Sequence, residues 1–381
     1  MNFRTSYWEQ TTFLRSPDVV VIGAGLTGLQ TALALKRDDP ARDVLVIERA
    51  AVPRGASTRN AGFACFGGPT ELLADMDAYG AASTLTTVRE RYAGIRALEA
   101  TYAGRGIDWR KQGGYEVIDS AETEQVVRER LPELNALLAE VTGIRETWTF
   151  GDVAPLGGNI RACLRNPFEA QLHPGKLVSV LLADCHRAGV RFLFGCTVEH
   201  LGADAGAVRV EGAGWGSIFA ARAVVTVNAF ARRLLPADFA DEIRPVRNQV
   251  LLSKPLTGLK LRGCYHYHEG YVYFRNVGED RLLIGGGRHV AGASSETAAF
   301  GSNGVPEAYL LTKLNEWLPG RRWAAEDFPV RWSGIIAQGD GKAPVLRFAA
   351  PGVLVAGRLA GMGVALSAAL ARRAAETLAR S

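Results

Sequence analysis

Three glycines and one acid carry the first chemical signal in this 381-residue chain. Gly23, Gly25 and Gly28 are spaced G-x-G-x-x-G directly after the apolar run Val19-Val-Val-Ile22, and Glu48 closes a second apolar run. Gly23 permits a tight turn out of a strand. Gly25 lets backbone approach a pyrophosphate, and Gly28 lets the following helix pack closely on the sheet. The free N–H groups and positive dipole end of that helix suit phosphate oxygens. A carboxylate ending the second strand can accept hydrogen bonds from two ribose hydroxyls. The order strand, turn, helix, strand, acid therefore predicts a dinucleotide site. A glycine turn in an unrelated α/β unit would leave Glu48 unexplained.

The elements needed around this motif follow from the hydrophobic pattern. Helical spacing covers about 70–140, with Leu72, Leu73, Ile95, Leu98 and Tyr102 on the apolar stripe. A short strand interrupts it at Gly113–Ile118. A further helix starts at His173-Pro174, runs to about Arg187 and stops at Gly189. Strands are expected at Val190–Val198, Ala207–Glu211 and Ala223–Val227. From about 231 to 325 the pattern becomes alternating and aromatic-rich, as in Arg247–Leu252, Gly270–Arg275 and Arg281–Gly285, which predicts a mainly antiparallel sheet. Val353–Gly357 then reads as a buried strand, followed by a turn to Gly363 and an Ala/Leu helix. No repeat or low-complexity linker separates these patterns. The fold class is therefore mixed α/β, with two interleaved domains. Residues 1–80, 155–230 and 326–381 form a Rossmann-like dinucleotide-binding domain. Residues 81–154 and 231–325 form the antiparallel-sheet substrate domain.

The chain is 48% hydrophobic, ample for such a core, and carries a formal charge of +5. Its basic residues are scattered in pairs such as Arg232-Arg233, Arg321-Arg322 and Arg372-Arg373, with no block of like charge. That argues against a nucleic-acid tail. The five cysteines are odd in number and form no CxxC, so neither a disulfide framework nor a zinc site is indicated, and a reducing cytoplasm is expected. The first residues contain no apolar signal core. No apolar run is long enough to span a bilayer, which leaves room only for peripheral membrane contact.

Four motifs in order then carry a resemblance over nearly the whole chain. They are the Gly23-to-Glu48 unit; Gly55-Ala-Ser-Thr-Arg-Asn-Ala-Gly62; His173-Pro174 with its helix, Cys196-Thr-Val198 and Val224-Val-Thr-Val-Asn-Ala229; and Trp332-Ser-Gly334 with Gly357–Gly363. In this the chain resembles the D-amino-acid oxidase-like FAD oxidoreductases, which include glycine oxidase, sarcosine oxidase, D-amino-acid dehydrogenase and γ-glutamylputrescine oxidoreductase. The resemblance implies FAD. Gly23, Gly25, Thr27 and Gly28 would hold the pyrophosphate, Glu48 the AMP ribose, and Arg49 would flank the adenosine. Ser57, Thr58, Asn60 and Ala61 would line the stretch from pyrophosphate to flavin. Val198 would meet adenine through its backbone. Gly361, Met362, Gly363 and Val364 would set a helix N-terminus under the flavin pyrimidine, where it stabilises negative charge. The motif positions Asn228, Gly334, Gly357 and Arg358 are counted with this set. Some relatives attach flavin through a cysteine near the C-terminus; here the last is Cys264, so noncovalent FAD is expected. A single fingerprint leaves no separate NAD(P)H domain, so electrons must come from the substrate.

Family chemistry implies hydride transfer from an amine-bearing carbon to flavin N5, giving an imine that hydrolyses. A substrate carboxylate calls for an arginine fork. Arg288, after Gly285-Gly-Gly287, is the first candidate, because the glycines leave room for a ligand. Arg275 and Tyr273 share a strand face with Tyr271. Arg358 lies in the C-terminal turn. His266 and His268 alternate in Tyr265-His-Tyr-His-Glu269; lacking a third ligand they read as a pocket-rim pair with no metal, and His268 as a candidate proton acceptor. The expected function is oxidation of the C–N bond of an amino acid or related amine, with O2 or a quinone-like carrier as electron acceptor. The alternatives are oxidation of a 2-hydroxy acid or glycerol phosphate on the same fold, and a flavin-binding assembly or maturation factor without turnover. A flavoenzyme of tRNA modification has only the arginine pairs in its favour.

Overall fold

A computed structural model describes residues 5–204, 206–239 and 241–381. The chain divides into two units, each assembled from separate segments. The first comprises Met1–Thr58, Leu177–Pro245 and Ile336–Ser381; the second comprises Arg59–Lys176 and Val246–Ile335. Residues 59–80, 155–176 and 326–335, expected with the dinucleotide-binding segments, group with the second unit. The cause is strand pairing: Phe63–Ala64 pairs with Ala170–Gln171, and Ala162–Asn166 pairs with Gly114–Ile118. Residues 231–245, expected with the substrate segments, group with the first.

The first unit is built on a six-stranded sheet with Val19–Ile22 at its centre. That strand runs parallel to Arg222–Val225 on one side and Val44–Glu48 on the other. Val353–Gly357 and Arg191–Phe194 extend the parallel arrangement outward, and Val345–Ala350 closes one edge antiparallel. Val19–Ile22 and Val44–Glu48 are buried at every position, as strands of a sheet covered on both faces should be. Helices Leu26–Asp38 and Gly363–Ala379 pack together, and Gln30 Nε2 donates to Ser367 Oγ across them at 2.7 Å. The strand expected to reach Val198 ends at Phe194, because Gly195 turns the chain with φ +74°. A separate antiparallel sheet holds His200–Asp204, Ala207–Gly212 and Gly216–Ala220.

The second unit carries an eight-stranded sheet. Its order is Val330–Gln338, Arg244–Leu252, Arg281–Gly286, Val272–Val277, Cys264–Tyr267, Gly114–Ile118, Ala162–Asn166 and Thr149–Gly151. Cys264–Tyr267 and Gly114–Ile118 run parallel. One face packs on helix Gly304–Trp317: Leu251, Tyr265, Phe274 and Ile284 bury against Leu310, Leu314 and Trp317. This helix lies where only strands were expected. Its buried residues 310, 314 and 317 repeat with helical spacing, and Asn303 caps it by accepting from Val305 N at 3.0 Å. Truncating a buried aromatic such as Trp317 costs about 3–5 kcal/mol, so this layer fixes the sheet firmly.

The opposite face holds the polar groups. Cross-strand register aligns Val250, Gly285, Tyr273, His266, Glu116 and Leu164 in one row over six strands. Period-2 alternation puts Tyr273 and Arg275 on this face while Val272 and Phe274 enter the core beneath.

Candidate active site

In the first unit, the glycines are required by space as well as by φ. Gly23 has φ +105°. A Cβ on Gly28 would lie 1.9 Å from the Gly23 carbonyl oxygen. Gly25 starts helix Leu26–Asp38 with no side-chain cap, and Leu26 N donates to Ser57 Oγ at 2.8 Å. A Cβ on Gly25 would reach to 2.8 Å from that Ser57 Oγ, so the loop closes tightly over the turn. Thr27 is buried in the helix's first turn. The Glu48 carboxylate accepts from Ala24 N at 3.0 Å and from Ala50 N at 3.1 Å. Two backbone donors thus fix its orientation beside the glycine turn. The Arg49 guanidinium stacks 3.9 Å from the Phe230 ring centroid. The Thr58 hydroxyl donates to Pro53 O at 2.9 Å, which ties it to its own loop. Val198 is half-buried between strands Arg191–Phe194 and His200–Asp204.

The C-terminal turn completes this unit. Asn228 takes φ +49°, and its buried Oδ1 has no partner among the described residues. Gly357 lies against it: a Cβ there would be 3.5 Å from Asn228 Cα. Gly361 has φ +88°, Met362 is the N-cap of helix Gly363–Ala379 with no cap from its own side chain, and Val364 is buried in its first turn. Arg358, expected as a substrate anchor, is committed elsewhere. It is buried, and its Nε and Nη2 donate to Ala343 O at 3.1 and 2.7 Å. That arginine secures backbone.

In the second unit, Asn60 Oδ1 accepts from Gly62 N at 2.8 Å, and Ala61 is buried with Val250 and Leu283. Gly334 follows Trp332, whose indole N–H donates to Arg59 O at 3.0 Å; a Cβ at Gly334 would lie 3.3 Å from that oxygen. Arg275 is also committed to backbone. Its guanidinium donates to the carbonyls of Ala61, Leu172 and Asn276, and burial pulls its pKa down to about 10. The sequence reading of Arg275 as a substrate anchor is corrected by this saturation.

Arg288 differs. It opens the short helix Arg288–Ala291 after Gly287, which has φ +74°. Among the described residues it makes no hydrogen bond and no ion pair; its guanidinium stacks 4.4 Å from the Tyr271 ring centroid. Burial pulls its pKa down, opposed by Tyr271, Tyr273, Glu71 and Glu269. Tyr273 is half-buried, its hydroxyl has no partner among the described residues, and burial pushes it up to about 12 with Arg288 opposing. The pair offers a guanidinium fork and a phenolic O–H on the glycine-lined face.

The two histidines separate. His268 sits past the strand end in a turn with φ +53°, exposed, with its ring 4.9 Å from that of His289. Burial, then His268 and Arg288, push His289 down to about 4. His266 is buried in the sheet, and its Nε2 lies 2.8 Å from Glu169 Oε2. It is therefore an interior residue, contrary to the pocket-rim reading. Burial alone would lower its pKa, but Glu169, Glu116 and Glu71 outweigh that and raise it. Cys65 has its sulfur within 4.8 Å of this pair. Burial and the Glu169 charge raise the thiol's pKa, so it stays a neutral thiol beside a pair that already satisfies itself. Neither Glu116 nor Glu169 was found from sequence. A carboxylate inside the apolar run Gly114–Ile118 was the available signal for Glu116; Glu169, in a connecting segment, left none.

Comparison with known proteins now decides the family. The model of the FAD dependent oxidoreductase family matches residues 18–377. The chain belongs to that family. A probable oxidoreductase, OrdL, from Rhizobium meliloti (strain 1021) is 25% identical over 378 residues, covering 93% of this chain and 81% of the relative. Glycine oxidase from Geobacillus kaustophilus superimposes with a TM-score of 0.76 at 18% identity, covering 96% of this chain and 95% of that one. L-α-glycerophosphate oxidase from Mycoplasma pneumoniae, with FAD bound, gives 0.75 at 15%, covering 96% and 95%. At such identities the two structures share the fold. The chain is accordingly an FAD-dependent oxidoreductase. Its first unit fits the cofactor on its own geometry: a glycine turn with no room for a Cβ, a helix start next to it, a fixed carboxylate and an Asn228 Oδ1 unpartnered among the described residues. Among the described residues no helix is long and apolar enough to cross a membrane.

Proposed function

We propose that this FAD-dependent oxidoreductase oxidises the C–N bond of an amino acid or related carboxylate-bearing amine, giving an imine that hydrolyses. Noncovalent FAD, held through Gly23, Gly25, Gly28, Glu48 and the start of helix Gly363–Ala379, supplies the hydride acceptor. The observation that carries the substrate reading is Arg288: a half-buried guanidinium with no anionic partner among the described residues, stacked on Tyr271. Burying a charge without a partner is costly, so such a group calls for a carboxylate from outside the chain. Tyr273 supplies a second donor beside it.

Glu71 and Glu269 act on Arg288 electrostatically without pairing to it. Carboxylates around a single guanidinium favour a substrate that brings a cation along with its carboxylate. They disfavour the doubly charged phosphate of a glycerol phosphate. An anaerobic flavin-bleaching screen over D- and L-amino acids, N-methyl amino acids, polyamines and 2-hydroxy acids tests this. Bleaching by a carboxylate-bearing amine, with keto-acid and ammonia or amine as products, is the expected result. Bleaching by hydroxy acids alone would replace the reading with alcohol oxidation. A chain that binds FAD and is bleached by none of them would be a non-catalytic flavoprotein.

A further inference from the structure

The second unit hides a carboxyl group that substrate anchoring does not use. Glu116 is fully buried on strand Gly114–Ile118, one strand from Tyr273's neighbour His266 in the cross-strand row. Its Oε1 accepts from the Thr70 hydroxyl at 2.6 Å. Its Oε2 has no partner among the described residues and presses against Gly68, where a Cβ would lie 1.7 Å away. Thr70 is half-buried, and its oxygen also accepts from Glu269 N at 2.9 Å. Glu269 is one of the carboxylates acting on Arg288. A single hydroxyl thus stands between the buried carboxyl and the turn beside Arg288. An interior carboxyl with an unsatisfied oxygen destabilises the fold, and groups of this kind concentrate at functional sites.

We propose that Glu116 accepts, through the Thr70 hydroxyl, the proton that substrate oxidation releases. The inference rests on the reading of the Arg288–Tyr273 face as the substrate side. The balance is simple. When an ammonium-bearing carbon is oxidised, the C–H bond breaks and its electron pair leaves with the hydride to FAD. One N–H bond also breaks; its electron pair becomes the second bond of C=N, and its proton must go to a base. Thr70 takes that proton on oxygen while its own O–H proton passes to Glu116, turning a carboxylate into a neutral acid. An alcohol substrate releases one proton in the same way, so the proposal survives a change of substrate class.

The surroundings poise Glu116 for this. Burial raises its pKa, Thr70 and His266 oppose, Glu71 adds to the rise, and the result is about 7. Facing it are the Glu71–Arg91 ion pair at 3.1 Å from the helices Pro69–Tyr79 and Ala81–Tyr102, the His266–Glu169 pair, and the thiol of Cys163. Glu116 thus lies where a base can both take and return a proton near neutrality.

The test is the pH profile of anaerobic flavin reduction in the holoenzyme. Wild type should lose rate tenfold per pH unit below about 7, where Glu116 is already protonated. Glu116→Gln should be slower by roughly a hundredfold at pH 8 and lose that acid limb. Thr70→Val should match it, while Thr70→Ser restores the limb. Infrared difference spectra of the wild type at pH 8 should show a carboxylic-acid carbonyl band on reduction, shifted in D2O and absent in Glu116→Gln. An acid limb unchanged in Glu116→Gln and Thr70→Val, or no carbonyl band in the wild type, would overturn the proposal. So would stoichiometric zinc in the purified protein, which would place a metal on His266. Failure of Arg288 variants to affect carboxylate substrates would instead strike the substrate reading and leave this result standing.

Discussion

In the first unit the distinctive features are backbone: two helices, Leu26–Asp38 and Gly363–Ala379, whose N-cap residues make no side-chain cap, joined by the Asn228 Oδ1 unpartnered among the described residues. In the second, side chains without a hydrogen-bond partner among the described residues include the Arg288 guanidinium, the Tyr273 hydroxyl and Glu116 Oε2. Recognition through backbone depends on close approach, so what matters is which positions carry no Cβ. Recognition through side chains depends on where distant segments bring charge. On the proposed function, the cofactor end of the chemistry is therefore set by a short local sequence and tolerates almost no added bulk. The proposed substrate end is set by register across a sheet, where single side chains can change without disturbing the backbone.

The largest effect expected from this contrast is at Gly28. A side chain there would meet the Gly23 carbonyl at 1.9 Å and Thr226 Oγ1 at 2.6 Å, and Thr226 itself donates to the Ile22 and Gly23 carbonyls. Backbone on one side and a bonded hydroxyl on the other leave nothing to yield. Gly28→Val should cost about 4 kcal/mol or more in stability and abolish FAD retention. Thermal unfolding and released-flavin absorbance measure both. A variant that folds and stays yellow would show that the turn is looser than its geometry.

A pair of arginines tests the second half of the contrast. Arg275→Ala removes a guanidinium that satisfies three carbonyls. It should cost on the order of 3 kcal/mol in stability, with whatever activity remains falling alike for every substrate. Arg288→Ala removes a charge with no protein anion to strand. Unfolding should barely move, while kcat/KM for a carboxylate substrate falls by the equivalent of about 2–5 kcal/mol. The matched amide substrate should be nearly indifferent. Arg288→Lys keeps charge but not the planar fork, and should recover only part of the loss. Equal losses on acid and amide would make Arg288 a packing residue.

The same contrast explains what could be read from the sequence. The Gly23-to-Glu48 unit was legible because its strand, turn, helix and acid are consecutive, and each residue's task is set by its neighbours. Arg288 stood out because the adjacent glycines advertise space, and its role as an anchor is part of the proposed function. Arg275 looked equivalent, since sequence shows a side chain's face but not which carbonyls wait there; Ala61 and Leu172 come from remote segments. His266 was misplaced for a related reason. Alternation put His266 and His268 on one face, but burial of His266 depends on Glu169, far along the chain, and the turn that moves His268 out of register depends on φ +53° at a non-glycine residue. Helix Gly304–Trp317 was hidden because the surrounding strands dominated the pattern.

The smallest of these effects is the sharpest test of the cofactor end. Glu48 holds its place by accepting from Ala24 N and Ala50 N, one on each carboxylate oxygen. Glutamine has one acceptor oxygen, so Glu48→Gln must turn an NH2 toward one of these N–H groups and loosen the side chain. If Glu48 holds the ribose, the substitution also replaces charge-assisted hydrogen bonds to it with neutral ones. Hydrogen bonds to a charged group contribute about 1.5–3 kcal/mol, so FAD affinity should fall roughly ten- to a hundredfold. Fluorescence titration of apoprotein with FAD measures this. Glu116→Gln, the same substitution at the buried carboxyl of the second unit, should leave that titration unchanged. Unaltered affinity in Glu48→Gln would assign the ribose to another residue, and an equal loss in both variants would mean that the titration reports general loosening of the fold instead of a contact at Glu48.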